Sequence, residues 1–185
     1  ALGSKAVSVI TSVTLQNTLG IQHFYDLPAP IVSGQLDAIV DDVMPETVKI
    51  GMVRNTEVLK AVVSALRRYK PKSVVYAPVL FSSHGDRLMG TATIEMIRHK
   101  LFPLCKVIIM RRRESDLLLS DCIADNVCFL DDAADHGSVN MFASALAVYL
   151  NQGDSVSDAI AKAHAFATNL FSKSAKLTGR SGELY

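Results

Sequence analysis

A run of small and polar residues at 136–140 has the composition of an anion-binding helix start. His136-Gly137-Ser138-Val139-Asn140 leads directly into an apolar helical pattern. The backbone N–H groups and the dipole of a helix N-terminus attract phosphate. A phosphate cradle favours glycine where this chain has Val139, and phosphoryl transfer uses a proton acceptor where it has the neutral amide Asn140. The segment predicts either an altered phosphate site or an ordinary helix capped by Ser138 or Asn140.

Three further candidate segments lie at the ends of predicted strands. They are Gln16-Asn17-Thr18, Gly51-Met52 and Ala77-Pro78-Val79. Ligands of open α/β sheets bind beyond the carboxyl ends of the strands, which makes these segments candidate ligand contacts. Each also has a structural alternative, because Asn17 can stabilise a turn through its own backbone, and Met52 and Val79 can be core residues.

Other polar residues have competing interpretations. Lys49 can reach an anion or extend its ammonium to solvent as a surface lysine, and we favour the surface lysine. Arg111-Arg112-Arg113 can contact phosphates or begin a solvated, salt-bridged helix, and we favour the helix. His84-Gly85-Asp86-Arg87 predicts a loop in which Asp86 is an N-cap or acceptor, and His136 predicts a hydrogen-bonded loop residue.

Strand-like and helix-like segments alternate along the chain and must position these residues. Short β-branched runs predict buried strands, and apolar residues at helical spacing predict helices. The predicted strands span 6–14, 47–53, 73–79, 105–110 and 126–130, and the predicted helices span 31–43, 55–70, 91–101, 113–119, 139–151 and 155–172. This alternation predicts an α/β fold with a mainly parallel sheet.

Capping signals mark two helix boundaries. Asn55 is the predicted N-cap of the helix at 55–70, whose apolar stripe comprises Val58, Leu59, Val62, Val63 and Leu66. The run from Asn151 to Ser155 predicts a glycine-containing C-cap followed by a new N-cap.

The bulk composition predicts one ordinary globular domain over 1–185. The chain has 185 residues, of which 49% are hydrophobic, and a formal charge of +1, which indicates neither a nucleic-acid nor a membrane partner. No apolar run reaches membrane-spanning length, and no signal peptide is visible. Three cysteines without a CxxC pair, and histidines without metal-ligand spacing, favour reduced thiols in the cytoplasm and no structural metal.

Four segments in register resemble the ribokinase-like vitamin kinases, most closely the hydroxymethylpyrimidine/phosphomethylpyrimidine kinases of thiamine biosynthesis. The segments are SVITSVTLQNTLGIQ (8–22), QLDAIVDDVMPETVKIGMV (35–53), VVYAPVLFSSHGDRLM (74–89) and HGSVNMFASALAVYLNQG (136–153). The last resembles the family pattern HGTGCTFSSAIAAYLAKG. The resemblance implies a three-layer α/β/α ribokinase-like domain.

The resemblance also implies an activity and site residues. Family members transfer the γ-phosphate of ATP, with magnesium, to the pyrimidine alcohol or its monophosphate, and related kinases act on pyridoxal. By position, Gln16 matches a pyrimidine-binding glutamine, and Met52 and Val79 match pocket-lining residues. Gly137, Ser138 and Val139 match the anion hole, and Asn140 matches the catalytic position. The resemblance further implies a homodimer.

Several departures from the family pattern bear on activity. A magnesium-side aspartate is replaced by Ala77, and a phosphate-side asparagine by Arg111. Val139 and Asn140 replace a glycine and the catalytic cysteine. We also expect the family's first strand with its Gly-rich loop, and much of its nucleotide site before His136, to be missing here.

These departures leave three hypotheses. The first is a phosphomethylpyrimidine kinase-like protein with weak or no phosphoryl transfer, in which ATP and magnesium binding are impaired. The second is a non-catalytic homologue that binds a pyrimidine or pyridoxal-like ligand. The third is a partial chain of an active pyrimidine or pyridoxal kinase.

Overall fold

The computed structural model describes residues 2–17, 19–82, 85, 87–119, 125–131 and 136–173. The strands are β1 Ser12–Asn17, β2 Gly20–Asp26, β3 Thr47–Ile50, β4 Ser73–Tyr76, β5 Val107–Arg111 and β6 Val127–Leu130. The helices are α1 Ala29–Asp42, α2 Thr56–Tyr69, α3 Thr91–Met96, α4 Arg112–Leu119, α5 His136–Asn151 and α6 Val156–Lys173. A π-helical turn, Ile97–Leu101, and a 3-10 turn, Phe102–Leu104, follow α3.

Four strands form a parallel sheet in the order β3-β4-β5-β6. Ile50 pairs with Tyr76, which pairs with Ile108, and Ile108 pairs with Val127. Each parallel connection crosses from one end of the sheet to the other, so every strand ends at the same edge. The mainly parallel sheet predicted from the sequence is confirmed.

Helices cover both faces of this sheet. On one face Ile50, Tyr76 and Ile108 belong to a buried cluster that includes residues of α1, α2, α3 and α4. On the other face Val75, Val107 and Ile109 pack with α5 and α6. β4 and β5 are buried along their whole length, as expected for strands covered on both sides. The predicted three-layer α/β/α architecture is confirmed.

The predicted helix caps are also present. The Asn55 side chain accepts a hydrogen bond from the Val58 N–H at 2.8 Å, and all five residues of the predicted α2 stripe are buried. At the end of α5 the Asp154 N–H donates to the Tyr149 carbonyl across Gly153, whose φ is +95°. Ser155 then caps α6 by accepting from the Asp158 N–H. These local signals therefore set the helix ends.

The prediction of a buried strand at 6–14 is wrong. Residues 2–11 form no strand, and β1 pairs antiparallel with β2 in a separate hairpin. Val13 and Leu15 are exposed on this hairpin. The β-branched residues correctly indicated extended backbone, but they do not specify which sheet a strand joins. β2 was missed because its sequence, GIQHFYD, lacks a continuous apolar run.

Candidate functional site at the carboxyl edge of the sheet

The ends of β3 and β4 bring two predicted ligand segments together. The Ala77 N–H donates to the Ile50 carbonyl at 2.9 Å, so the pairing continues just beyond both strands. Met52 and Val79 follow at the same edge, and both are half-buried. Their position agrees with a pocket-lining role, which stays a prediction.

Helix α5 begins at this same edge. It packs against β3 and β4, and the side chain of Asn140, in its second turn, accepts a hydrogen bond from the Lys49 ammonium at 3.0 Å. Because α5 begins at His136, Ser138 and Asn140 lie inside the helix, and the alternative in which either one is the N-cap is wrong. The first turn of a helix has N–H groups without helical acceptors, which favours a nearby anion.

Gly137 to Val139 occupy this first part of α5. Gly137 is exposed and Ser138 is half-buried. Val139 is only 7% exposed, and its side chain belongs to the buried cluster that contains Ala77 and Val75. Apolar side chains thus fill the position beneath the helix start where the family resemblance places a glycine and a carboxylate. The anion-hole role of these residues stays a prediction.

Lys49 lies beside the candidate site, in contact with Asn140. Its side chain points toward α5 and is half-buried, and burial lowers the pKa of its ammonium. Its partner Asn140 is exposed, so a half-buried stem with the ammonium near the surface agrees with the surface-lysine interpretation, and the anion-binding role stays a prediction. The available signal for the direction of the side chain was strand alternation: Lys49 lies between Val48 and Ile50, both of which face the opposite layer.

The hairpin β1–β2 rises from the same edge and carries Gln16. The Thr11 hydroxyl donates to the Met52 carbonyl at 2.9 Å, and the Arg54 guanidinium lies 3.5 Å from the centre of the Phe24 ring. Gln16 is exposed, five residues beyond Thr11, or about 16 Å along an extended strand. Contact with a ligand at the edge would therefore require the ligand to reach along the hairpin. Its ligand role stays a prediction.

The turn interpretation of the neighbouring residues is supported. The Asn17 side chain accepts a hydrogen bond from the Leu19 N–H at 2.9 Å, which is the predicted local turn contact. Thr18 lies outside the described residues.

The interpretation of the arginine run as a solvated helix start is wrong for its first member. Arg111 is 5% exposed, and Glu114 is 3% exposed. The Glu114 carboxylate accepts from the Arg111 backbone N–H at 2.9 Å and so caps α4. Arg112 is exposed, and its guanidinium lies 5.2 Å from the centre of the Phe129 ring.

Part of the polar loop at 84–87 can be assessed. Gly85 has a φ of +87°, and Arg87 donates to the Thr91 hydroxyl at 3.2 Å. His84 and Asp86 lie outside the described residues, so their predicted roles stay predictions. His136 is the first residue of α5, so its predicted placement in a loop is wrong, and its side chain lies outside the described residues.

The described residues do not provide a metal site. No group of three or more His, Cys, Asp or Glu side chains in this part of the chain is arranged to coordinate a metal ion. Ala77 presents a methyl group that is 1% exposed, where the resemblance places a carboxylate. Magnesium, a hard cation that binds oxygen ligands, therefore does not fit these residues. None of the described helices has an apolar stretch long enough to cross a membrane.

Comparison with known proteins identifies a family that matches most of this chain. The phosphomethylpyrimidine kinase family model matches residues 1–134. A hydroxymethylpyrimidine/phosphomethylpyrimidine kinase from Rhizobium meliloti is 38% identical over 67% of this chain and 46% of its own length. This chain thus spans less than half of that relative. Helix α5 begins beyond the matched residues, so the roles of its first residues rest on the resemblance of their motif.

Solved structures agree with the observed fold. The phosphomethylpyrimidine kinase of Clostridium difficile superimposes with a TM-score of 0.79 at 26% identity, covering 91% of this chain and 88% of that one. A Bacillus subtilis pyridoxal kinase, solved as an ADP complex, gives 0.75 at 18% identity over 95% and 83% of the two chains, which supports the fold alone. The chain belongs to the phosphomethylpyrimidine kinase family.

Proposed function

We propose that this protein binds hydroxymethylpyrimidine or its monophosphate at the carboxyl edge of the parallel sheet. We further propose that it transfers the ATP γ-phosphate to this ligand weakly or not at all. Met52 and Val79 line the proposed site, and Gln16, about 16 Å along the hairpin from Thr11, is assigned to the ring of the ligand by the family resemblance alone. The anion-binding part lies at the start of α5, with Gly137 to Asn140.

The contact between Lys49 and Asn140 carries this proposal. Asn140 stands at the position that matches the family's catalytic residue, and its amide oxygen accepts from the Lys49 ammonium. A neutral amide does not accept a proton at pH 7, so it cannot act as a general base. The pair keeps positive charge near the helix start, which favours an anionic ligand. Binding is therefore supported better than catalysis.

The cofactor side of the site supports the same conclusion. Pyridoxal kinases of the same fold bind ADP, as in the Bacillus subtilis complex, and we propose ATP as the nucleotide of any residual transfer. The described residues do not fit magnesium, because Ala77 provides no carboxylate. In phosphoryl transfer, charge neutralisation by metal ions supplies a large part of the rate. Impaired charge neutralisation should therefore reduce turnover more than it reduces ligand binding.

A working kinase is the second candidate, and the partial coverage of the relatives favours it. The chain spans 46% of the Rhizobium meliloti protein, so further segments of a longer protein could supply the missing groups. Phosphoryl transfer depends mainly on positioning and charge stabilisation, and a missing base does not by itself abolish it. Pyridoxal is then a further candidate substrate.

Calorimetry and a coupled assay separate these candidates. We expect the purified chain to bind the pyrimidine alcohol or its monophosphate, with ADP release at least about 100-fold slower than in the Rhizobium meliloti enzyme, because loss of acid–base catalysis alone costs that much. Equal turnover would establish the working kinase. Absence of binding to the alcohol, the monophosphate and pyridoxal would overturn the proposal.

The proposed assembly is a homodimer in the cytoplasm. Val13, Leu15 and Tyr25 are exposed on the hairpin, and Val13 lies opposite Tyr25 in the pairing register. Burial of such apolar surface favours association. Cys105 and Cys128 are free thiols, a state that the cytoplasm maintains. A monomeric mass in analytical ultracentrifugation across micromolar concentrations would exclude the homodimer.

A further inference from the structure

We propose that Lys49 is the residue that recognises a phosphate group on the ligand of this site, and that Asn140 positions its ammonium. This assignment rests on the proposed function, because it deepens the chemistry of the same site. It makes a phosphorylated ligand the preferred one over the free pyrimidine alcohol.

The Lys49 ammonium lies at the carboxyl edge of the sheet. Lys49 is next to the last residue of β3, and its side chain faces α5 rather than the α1–α4 layer. A Cβ atom added to Gly51 would lie 3.7 Å from Lys49 Nζ. The side chain therefore extends along β3 toward the carboxyl edge. The ammonium lies beside the residues that follow β3, where the candidate ligand segments meet.

The charge of the Lys49 ammonium is not neutralised by any described residue. The described hydrogen-bond partner of Lys49 is the neutral amide of Asn140, and no carboxylate in the described part of the chain forms an ion pair with it. On β4 and directly after it, the residues of this face, Val75 and Ala77, are apolar. Residues 137–144 of α5 contain no ionisable residue, and the side chain of His136, the first residue of α5, lies outside the described residues. A half-buried ammonium without a carboxylate favours an anionic ligand over a neutral one.

Asn140 positions the Lys49 ammonium through one hydrogen bond. Ammonium groups have three donors, and the amide oxygen of Asn140 accepts one of them. The amide neither neutralises the charge nor competes for it as a carboxylate would. Asn140 therefore fixes the direction of a flexible side chain and leaves two donors for a ligand. In this protein Asn140, at the position that matches the family's catalytic residue, is therefore a positioning residue.

The phosphate itself has two possible sources. It can be the ester phosphate of the pyrimidine monophosphate or the terminal phosphate of a nucleotide. Both present the same oxyanion chemistry to a lysine. Titrations with hydroxymethylpyrimidine, its monophosphate and the non-hydrolysable nucleotide AMP-PCP distinguish them.

The decisive variant is Lys49→Met, compared with Lys72→Met as a matched control. Lys72 is exposed and pairs with Glu46, and both residues directly precede β3 and β4, at the edge of the parallel sheet opposite the site. We expect Lys49→Met to weaken binding of one phosphorylated ligand about 10- to 100-fold, the range of a charged hydrogen bond, and to leave alcohol binding within about twofold. Lys49→Arg should restore part of the affinity, and Asn140→Ala should give a smaller loss. The ligand whose affinity falls identifies the source of the phosphate.

A pH series gives a readout that a structural role would not change. Burial lowers the pKa of Lys49, so phosphate affinity of the wild-type protein should fall as the pH rises toward 10, and alcohol affinity should not. The pH series uses the wild-type protein, so it can be measured even if Lys49→Met fails to fold. Equal loss of alcohol and phosphate binding in Lys49→Met, or unchanged phosphate binding, overturns the role of Lys49. If the wild-type protein binds none of the alcohol, the monophosphate and pyridoxal, the proposed function is overturned instead.

Discussion

Ala77→Asp places a carboxylate beside Lys49. The resulting change in the free energy of unfolding tests whether the two side chains are close together. Ala77 is 1% exposed and packs in the cluster formed with α5 and α6. Its N–H donates to the Ile50 carbonyl, and adjacent strands lie about 4.8 Å apart, so Ala77 lies beside Gly51. Since the Lys49 ammonium extends over Gly51, the introduced carboxylate should reach it.

The expected magnitude follows from desolvation and pairing. A carboxylate that leaves water for an apolar cluster loses several kcal/mol of hydration, and a lysine partner recovers much of this. We expect Ala77→Asp to lower the free energy of unfolding by about 1–3 kcal/mol, and the double variant with Lys49→Met to lower it by about 3–5 kcal/mol. The double variant should therefore lose about 2 kcal/mol more than Ala77→Asp alone, and this excess minus the effect of Lys49→Met alone is the coupling between the two positions.

Urea unfolding at pH 7 measures this coupling in a double-mutant cycle. The cycle compares the wild-type protein, both single variants and the double variant. Ala77→Asn is the matched control, because it has a similar shape and no charge, and it should show no coupling to Lys49→Met. Additivity within about 0.5 kcal/mol for the aspartate variant would mean that Lys49 and position 77 do not interact. That result would refute the placement of the ammonium at the sheet edge.

Three further predictions concern stability. Asn55→Ala should lower the free energy of unfolding by about 1 kcal/mol, seen as a lower urea midpoint, because the Val58 N–H loses its cap; Asn55→Asp should retain most of it. The lowered pKa of Lys49 means that the unfolded chain binds more protons between that pKa and 10.5, so the wild-type protein should gain stability relative to Lys49→Met from pH 7 to pH 10; a flat difference would contradict this. Burial raises the pKa of the Cys105 thiol to about 12 from 9.0, so its contribution to stability should be lost progressively above pH 9, and Cys105→Ala should reduce this loss in thermal melts.

Local signals in the sequence predicted the layered part of the fold well. Asn55 and the α2 stripe specify one amphipathic helix, and the apolar runs of β4 and β5 require a sheet covered on both faces. These features depend on residues close together in the chain. The hairpin was not predictable in the same way, because Ser12–Asn17 resembles a buried strand in composition although it pairs outside the main sheet.

The site was predictable in position but not in its contacts. Gly51-Met52 and Ala77-Val79 were placed at one edge because parallel strands end together. The contact between Lys49 and Asn140 joins residues that are 91 positions apart, and no local pattern encodes it. The burial of Arg111 was missed for the same reason, since a run of three arginines resembles a solvated segment until its packing is known.

The departures at Ala77 and Val139 should act together rather than separately. Both side chains are buried in one cluster, so a larger residue at 77 competes for space with the valine. Val139→Gly removes three carbon atoms, and Ala77→Asp adds a carboxyl group of similar size.

Val139→Gly alone should lower the free energy of unfolding by about 3 kcal/mol, through lost burial and helix propensity. We expect the double variant Val139→Gly with Ala77→Asp to lose less free energy of unfolding than the sum of the two single losses, by at least about 1 kcal/mol, because neighbouring volume changes compensate. The double variant Val139→Gly with Ala77→Asn changes the same volume without adding a charge. It should show most of the same compensation in the free energy of unfolding. Strict additivity in both pairs would show that the two positions do not share space, and the changes from the family pattern would then be independent events.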